Sequence, residues 1–226
     1  MRRIFLINPN NIKKVIPKRP KINGREEFVK TSVLVLLIKK NNDWHIVYEK
    51  RALNISQGGE ISFAGGKFDK SLDITAEDTA VREAEEELGI NKEDIEVLGE
   101  LDTIITPIGV VVKPFLAISE IDESTIRFNK SEVEYTFSIP LSWLFENKPE
   151  EYHIILKAHP TIVDKAGKEV EILPSKKLNL PERYHNPWGR LKQKIYVYKY
   201  KEETIWGLTA AITNSLIKSL VQYKEL

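Results

Sequence analysis

The stretch ISFAGGKFDKSLDITAEDTAVREAEEELGI, residues 61–90, decides the fold. It predicts a short strand, a pair of glycines, a polar loop and then a helix. Thr75 and Asp78 have the spacing of a capping box, which predicts a helix that begins directly after Thr75. Gly89 is a typical residue just beyond the end of a helix. The predicted helix therefore runs from about residue 76 to residue 88.

The glutamates of the predicted helix crowd onto one side of it. At about 100° per residue, Glu83, Glu86 and Glu87 share an arc of about 100°. Like charges at these spacings destabilise a helix unless something compensates them. Arg82 can pair with Glu86, one turn later, but one cation cannot neutralise all of these carboxylates.

A hard divalent cation is one compensating partner, and a solvated acidic face is the alternative. Carboxylate oxygens are the ligands that Mg²⁺ and Mn²⁺ prefer, whereas acidic helix faces exposed to water are common. The pair Gly65-Gly66 allows a close approach of the backbone and leaves a carbonyl oxygen free to ligate. This combination favours a metal site.

The composition excludes several other classes of protein. The chain has 226 residues, 34 basic and 33 acidic side chains and a net charge of +1, which argues against broad nucleic-acid binding. It has no cysteine, which fits the cytosol. The longest apolar run, residues 32–38, is far too short to span a membrane, and the run at 4–7 is too short for a signal peptide. We therefore expect a soluble cytoplasmic protein without a nucleic-acid or membrane partner.

The rest of the chain predicts a mixture of strands and helices. Residues 1–30 read as an N-terminal arm with a short strand at 3–7, and residues 31–226 as one domain, in which the polar stretch 160–193 is an extended loop or an insertion. Because strands and helices do not alternate regularly, an α+β fold or an α/β sandwich is favoured over a doubly wound sheet. The predicted strands cover 31–38, 44–51, 95–106, 110–119, 152–158 and 194–200, a turn into a short helix covers 138–146, and an amphipathic helix covers 205–224.

The glycine pair and the acidic helix together resemble a known motif. Gly65-Gly66, followed by Arg82-Glu83-Ala84, Glu86-Glu87 and Gly89-Ile90, resembles the Nudix box, G-x5-E-x7-R-E-U-x-E-E-x-G-U, in which U is aliphatic. The resemblance implies the α/β/α sandwich of Nudix hydrolases around a mixed β-sheet. It also implies hydrolysis of a nucleoside diphosphate linked to another group, with Mg²⁺ or Mn²⁺ as the cofactor.

The first half of the box departs from this pattern. Counting back from Arg82 places the family's glutamate at Ile74 and its glycine at Phe68. A loop about two residues longer gives the glycine role to Gly66. Either nothing replaces the glutamate, or its replacement is one of three nearby acids, Asp69, Asp73 and Glu77.

The resemblance also implies roles for the residues of the box. Glu83, Glu86 and Glu87 are the implied metal ligands, with the carbonyl oxygen of Gly66 as a further candidate, and Arg82 is expected to orient them. The candidate catalytic residues are Glu86, Glu87, Arg82 and Glu132.

Other candidate site residues lie outside the predicted helix. The general base is a glutamate of the box or belongs to the segment 131–134, where Glu132 and Glu134 are candidates. Ordinary surface charge is the alternative for both. Arg51 and Lys67 flank the expected site and are the candidate phosphate contacts, because a polyanionic substrate needs cations.

The residues upstream of the box resemble one branch of the family. RALNISQGGEISFAGGKFD, residues 51–69, is similar to the signature of coenzyme A pyrophosphatases, with matches at Arg51-Ala52, Gly59, Phe63, Gly65-Gly66 and Asp69. Ala64 replaces a proline of that signature, and its inner arginine has no counterpart at Ile55-Ser56.

This branch implies a small-molecule substrate, coenzyme A or its acyl derivatives, cleaved to 3′,5′-ADP and 4′-phosphopantetheine or the acyl form. ADP-ribose, NADH and dinucleoside polyphosphates remain alternative substrates because the inner arginine is missing. A non-catalytic Nudix-fold nucleotide-binding module is the alternative from another class, but it predicts loss of the box glutamates, which are all present. A homodimer is common in the family, although no feature of the sequence indicates one.

Overall fold

The computed structural model describes residue 17 and residues 22–224, so the predicted strand at 3–7 and most of the predicted arm lie outside the described residues. The strands are β1 (Val29–Lys40), β2 (Asp43–Arg51), β3 (Ile61–Ser62), β4 (Gly65–Lys67), β5 (Glu96–Glu100), β6 (Ile104–Ile105), β7 (Val110–Ser119), β8 (Val133–Pro140), β9 (Glu150–Ala158), β10 (Thr161–Val163), β11 (Glu169–Glu171), β12 (Trp188–Tyr200) and β13 (Glu203–Trp206). The α-helices are α1 (Ala76–Leu88), α2 (Leu141–Glu146) and α3 (Gly207–Lys224). Short 3-10 helices cover Arg25–Glu27, Lys92–Asp94, Glu123–Thr125 and Glu182–Tyr184.

The largest sheet is mixed and is built around β1. This strand pairs in parallel with β7 and antiparallel with β2 and β4. A two-residue turn joins β1 to β2, and its residues Asn41 and Asn42 adopt the left-handed conformation, with φ of 51° and 62°. Tight hairpins favour asparagine in this conformation. The strands predicted at 31–38 and 44–51 therefore pair as a hairpin.

Each face of β1 packs against a different helix because neighbouring side chains of a strand point to opposite faces. Leu34 and Leu36 lie in a buried cluster with Ala80 and Ala84 of α1. The alternate residues, such as Val35, lie in a second cluster with residues of α3. The sheet is thus enclosed between helices, and the predicted α/β/α sandwich with a mixed sheet is confirmed.

A second, three-stranded sheet has the order β13–β12–β9. Tyr198 and Ile205 of this sheet are buried in the same cluster as residues of α3. A two-stranded hairpin, β10–β11, lies within the stretch 160–193, and β12 already begins at Trp188. The strand predicted at 194–200 is therefore the second half of a longer strand that pairs with β9.

Three other predicted boundaries were wrong. The strand predicted at 95–106 is divided into β5 and β6, which both pair with β7, so the break is local. Residues 138–140 end β8, and only Leu141–Glu146 are helical. Residues 205–206 end β13, and α3 begins at Gly207, whose φ of 62° turns the chain from strand to helix.

No helix in the described part of the chain is long and apolar enough to cross a membrane.

Candidate active site

Helix α1 begins and ends where the sequence predicts, because a local cap defines each end. The Thr75 hydroxyl accepts a hydrogen bond from the Asp78 N–H at 3.2 Å, and the Asp78 carboxylate accepts one from the Thr75 N–H at 2.7 Å. At the other end Gly89 is left-handed, with φ of 65°, and its N–H donates to the Glu85 carbonyl. These caps define the two ends of α1, and the packing of Ala80, Ala84 and Leu88 in the core turns its apolar side to the sheet.

The glycine pair lies directly under the acidic side of α1. Gly65 and Gly66 form most of β4 and pair with β1. The Gly65 N–H donates a hydrogen bond of 2.8 Å to Oε2 of Glu87. A Cβ atom at Gly66 would lie 2.3 Å from Oε1 of Glu83. The lack of a side chain at Gly66 therefore makes room for Glu83, whereas Glu87 contacts β4 through the backbone of Gly65.

Arg82 is the centre of an ion-pair network. Its Nη1 lies 3.1 Å from Oε2 of Glu86, which confirms the predicted pair, and 2.9 Å from Oε1 of Glu83. Its strongest partner is Asp73, with Nε–Oδ1 at 2.9 Å and Nη2–Oδ2 at 3.1 Å. The Arg82 guanidinium holds the pKa of Asp73 well below its usual range.

Asp73 is the one of the three candidate acids that contacts Arg82. Ile74, at the position of the family's glutamate, is 91% exposed and apolar. Asp69 and Glu77 are exposed, whereas the carboxylate of Asp73 also accepts hydrogen bonds from Thr79 and from the Asp69 N–H. The longer loop thus brings an aspartate to the arginine one residue before the expected position.

The three glutamates of the box lie at different depths. The side chain of Glu86 is 53% exposed, that of Glu83 is 15% exposed, and that of Glu87 is only 3% exposed. Burial raises the pKa of Glu87, and the neighbouring carboxylate of Glu49 raises it further. Burial also raises the pKa of Glu83, while its bond to Arg82 opposes the change.

Glu49 is a site residue that the sequence analysis missed. It lies in β2, is fully buried, and its Oε1 accepts a hydrogen bond of 2.9 Å from the Ser62 hydroxyl. Nη1 of Arg51 lies 3.6 Å from this carboxylate and 3.7 Å from that of Glu87. The available signal was an acid directly after the apolar run 46–48 of β2 and two residues before Arg51.

The other predicted site residues separate into those near the carboxylates and those away from them. The charge of Glu132 acts on both Glu49 and Glu83, so it faces the cluster, and the Asn129 side chain donates to it at 3.3 Å. Glu134 is exposed, and its charge acts on Lys50, whose side chain points to the opposite face of β2. Lys67 is exposed at the end of β4.

The donors of this cluster fit a hard cation. The carboxylates of the cluster outnumber Arg51 and Arg82, the two arginines beside them. Oε2 of Glu49 is buried without a hydrogen-bond partner among the described residues. Oxygen donors of this kind suit Mg²⁺ or Mn²⁺. Within residues 22–224 no three acidic, histidine or cysteine side chains already form a closed group of ligands, so the fit is one of donor chemistry.

Comparison with known proteins gives a consistent result. The family model described as a NUDIX domain matches residues 29–157. An uncharacterized Nudix hydrolase, NudL of Photorhabdus laumondii, is 28% identical over 205 residues, which cover 90% of this chain and 89% of that protein. The human mitochondrial coenzyme A diphosphatase NUDT8 is 28% identical over 192 residues, 84% of this chain and 68% of that protein. Among solved structures, a MutT/nudix family protein from Enterococcus faecalis matches with a TM-score of 0.45 and 17% identity, over 93% of this chain and 67% of that one.

Proposed function

Since the chain belongs to the Nudix hydrolase family, whose enzymes act on pyrophosphate bonds, we propose that it cleaves coenzyme A or acyl-coenzyme A to 3′,5′-ADP and 4′-phosphopantetheine or its acyl form. The observation that carries the proposal is the position of Arg51. This first residue of the coenzyme A signature lies between Glu49 and Glu87, at the carboxylate cluster. The similarity to the human coenzyme A diphosphatase supports the same substrate.

Glu83, Glu86 and Glu87 would hold the divalent cation, Mg²⁺ or Mn²⁺, together with the carbonyl oxygen of Gly66. The bound cation supplies neutralisation of phosphate charge and a water of lowered pKa. Arg82 acts as a positioning residue because it bonds Glu83 and Glu86 while Asp73 fixes its guanidinium.

Glu132 is our candidate for the general base. It faces the carboxylate cluster, and the bond from Asn129 limits its rotation. It would accept the proton of the attacking water, while the exposed Lys67 and the partly exposed Arg51 bind the phosphates of the substrate.

One observation favours a second candidate substrate class, ADP-ribose, NADH or a dinucleoside polyphosphate. The loop between β2 and β3 offers Ile55 and Ser56 where the coenzyme A signature has its inner arginine. The Ser56 carbonyl accepts a hydrogen bond from Nε of Arg51 at 3.2 Å, so this part of the loop orients Arg51. None of these substrates carries the 3′-phosphate of coenzyme A, so none needs a cation to bind it.

A hydrolysis screen with Mg²⁺ and with Mn²⁺ tests the proposal. Coenzyme A, acetyl-coenzyme A, ADP-ribose, NADH and diadenosine polyphosphates are incubated with the wild type, with Glu87→Gln and with Glu85→Gln. Glu85 is an exposed neighbour on the same helix and serves as the matched control. We expect release of 3′,5′-ADP by the wild type and the control, and its loss in Glu87→Gln.

Cleavage of ADP-ribose or NADH in place of coenzyme A would overturn the proposed substrate and support the second candidate. Equal activity of Glu87→Gln and the wild type would remove Glu87 from the site.

A further inference from the structure

Glu49 is a buried acid that the reaction described above does not use. None of its surface is exposed, and its Oε1 accepts a hydrogen bond from the Ser62 hydroxyl. Its Oε2 has no partner among the described residues. A buried polar oxygen without a partner costs stability, so such an atom calls for an explanation.

The side chain of Glu49 points towards α1. Val47, two residues earlier on the same face of β2, lies in the cluster that contains Ala84 of α1. Tyr48 points the other way and bonds Thr213 of α3 through its hydroxyl. Glu49 therefore points from the sheet towards α1, and Glu87 points from α1 towards the sheet.

A structural ion pair with Arg51 does not account for this arrangement. The separation of 3.6 Å between Nη1 and Oε1 is long for a charge-assisted bond. The same nitrogen is shared with Glu87 at 3.7 Å, and Nε of Arg51 donates elsewhere, to the Ser56 carbonyl. The pair involves Oε1 of Glu49 and leaves Oε2 without a partner among the described residues.

We propose that Glu49 is a further ligand of the divalent cation, contributed by β2 from the sheet, opposite the glutamates of α1. The inference rests on the proposed function in one respect, that the cation binds at the glutamates of the box. The unpartnered Oε2 is the atom that ligates. The Ser62 hydroxyl, which bonds Oε1, holds the carboxylate in place.

Binding of Mn²⁺ to the whole chain without substrate tests this role. Free Mn²⁺ is measured by electron paramagnetic resonance in titrations of the wild type, Glu49→Gln and the control Glu85→Gln. Glutamine keeps the volume of the side chain and can accept the bond from Ser62, but it is a poorer ligand. We expect Glu49→Gln to bind Mn²⁺ about tenfold or more weakly and the control to match the wild type.

Mn²⁺ affinity of folded Glu49→Gln equal to that of the wild type would overturn the inference. If that variant does not fold, anomalous diffraction from wild-type crystals soaked in Mn²⁺ decides. A peak within coordination distance of the Glu49 carboxylate supports the role, and a peak ligated by α1 alone contradicts it.

The substrate screen separates this inference from the proposed function. Cleavage of coenzyme A together with unchanged Mn²⁺ binding by Glu49→Gln would leave the function standing and remove Glu49. Weakened Mn²⁺ binding by Glu49→Gln, together with no cleavage of coenzyme A by the wild type, would support Glu49 as a ligand and overturn the proposed substrate. A wild-type chain that binds no Mn²⁺ would overturn both.

Discussion

Glutamates of one small region serve different purposes because their surroundings differ. Glu86 is exposed and pairs with Arg82, so its charge costs little. Glu87 is buried, and among the described residues the one short bond to its carboxylate comes from the Gly65 N–H. Two arginines border the group, but Arg82 is largely occupied by Asp73. The deepest carboxylates therefore remain poorly compensated, as is common where a protein holds groups ready for binding.

Glu87→Gln should stabilise the fold at neutral pH when divalent cations are removed by a chelator. Folding raises the pKa of Glu87 above its ordinary value of 4.5, so above that pH the folded state binds more protons than the unfolded state, and stability falls as pH rises. Glutamine removes this penalty and can still accept the bond from Gly65. We expect a Tm rise at pH 8 of at least about 2–4 °C, the effect of 1 kcal/mol in a chain of this size.

Thermal unfolding of the wild type, Glu87→Gln and Glu85→Gln at pH 8 and at pH 4 measures this effect. The difference should shrink at pH 4, where Glu87 is protonated in both states. A lower Tm of Glu87→Gln at pH 8 would show that the buried carboxylate stabilises the fold.

At the scale of elements, the success of the sequence prediction depended on how local the signals were. Both ends of α1 could be predicted because Thr75, Asp78 and Gly89 act within a few residues. Strand β8 was missed because it is only partly buried and its apolar pattern is irregular. The early start of β12 depends on pairing with β9, a contact between distant parts of the chain.

The same rule applies to the candidate site. The helical period alone could place Glu83, Glu86 and Glu87 on one side and pair Arg82 with Glu86. It could not predict how deeply each glutamate lies, because depth depends on the sheet below. The contacts of Asp73 and Glu49 depend on a loop conformation and on strand packing, which no local pattern specifies.

Alanine substitutions of the two glycines of β4 should have different effects, one mainly on the stability of the fold and the other mainly on activity. A Cβ atom at Gly65 would lie 2.4 Å from the Ser32 carbonyl oxygen, which belongs to the sheet backbone and cannot move freely. A Cβ atom at Gly66 would meet only the end of the flexible Glu83 side chain among its three nearest atoms. We expect Gly65→Ala to lose roughly 1–3 kcal/mol of stability. Gly66→Ala should lose less than about 1 kcal/mol but most of the activity, because Glu83 is displaced.

Urea unfolding and the hydrolysis assay, applied to both variants, check this pair of outcomes. An equally large loss of stability in Gly66→Ala would mean that Glu83 cannot move aside. Full activity of a folded Gly66→Ala would show that hydrolysis does not need the close contact between β4 and Glu83.

At the scale of the whole molecule, the candidate site belongs to the large sheet and α1. Glu49, the glycine pair and the box glutamates come from β2, β4 and α1. The family match ends at residue 157, but β12, β13 and α3 beyond it contribute Tyr198, Ile205 and Ile212 to the core. Residues far along the chain from the site thus support the sheet that carries it.

Binding of Mn²⁺ should therefore protect one part of the molecule from hydrogen exchange more than another. A ligand at one hundred times its Kd stabilises the state that binds it by about 2.7 kcal/mol, which slows exchange through openings that break the site by up to about a hundredfold. Amides of β2, β4 and α1 should show this protection. Amides of β9, whose side chains are largely exposed, open without disturbing the site and should exchange at unchanged rates.

Mass spectrometry of exchange with and without Mn²⁺, with Glu87→Gln as the control that shows little protection, measures the pattern. Protection centred on β9 to β11 would place the cation outside the carboxylate cluster, whereas protection limited to the large sheet and α1 would support the cluster as its site.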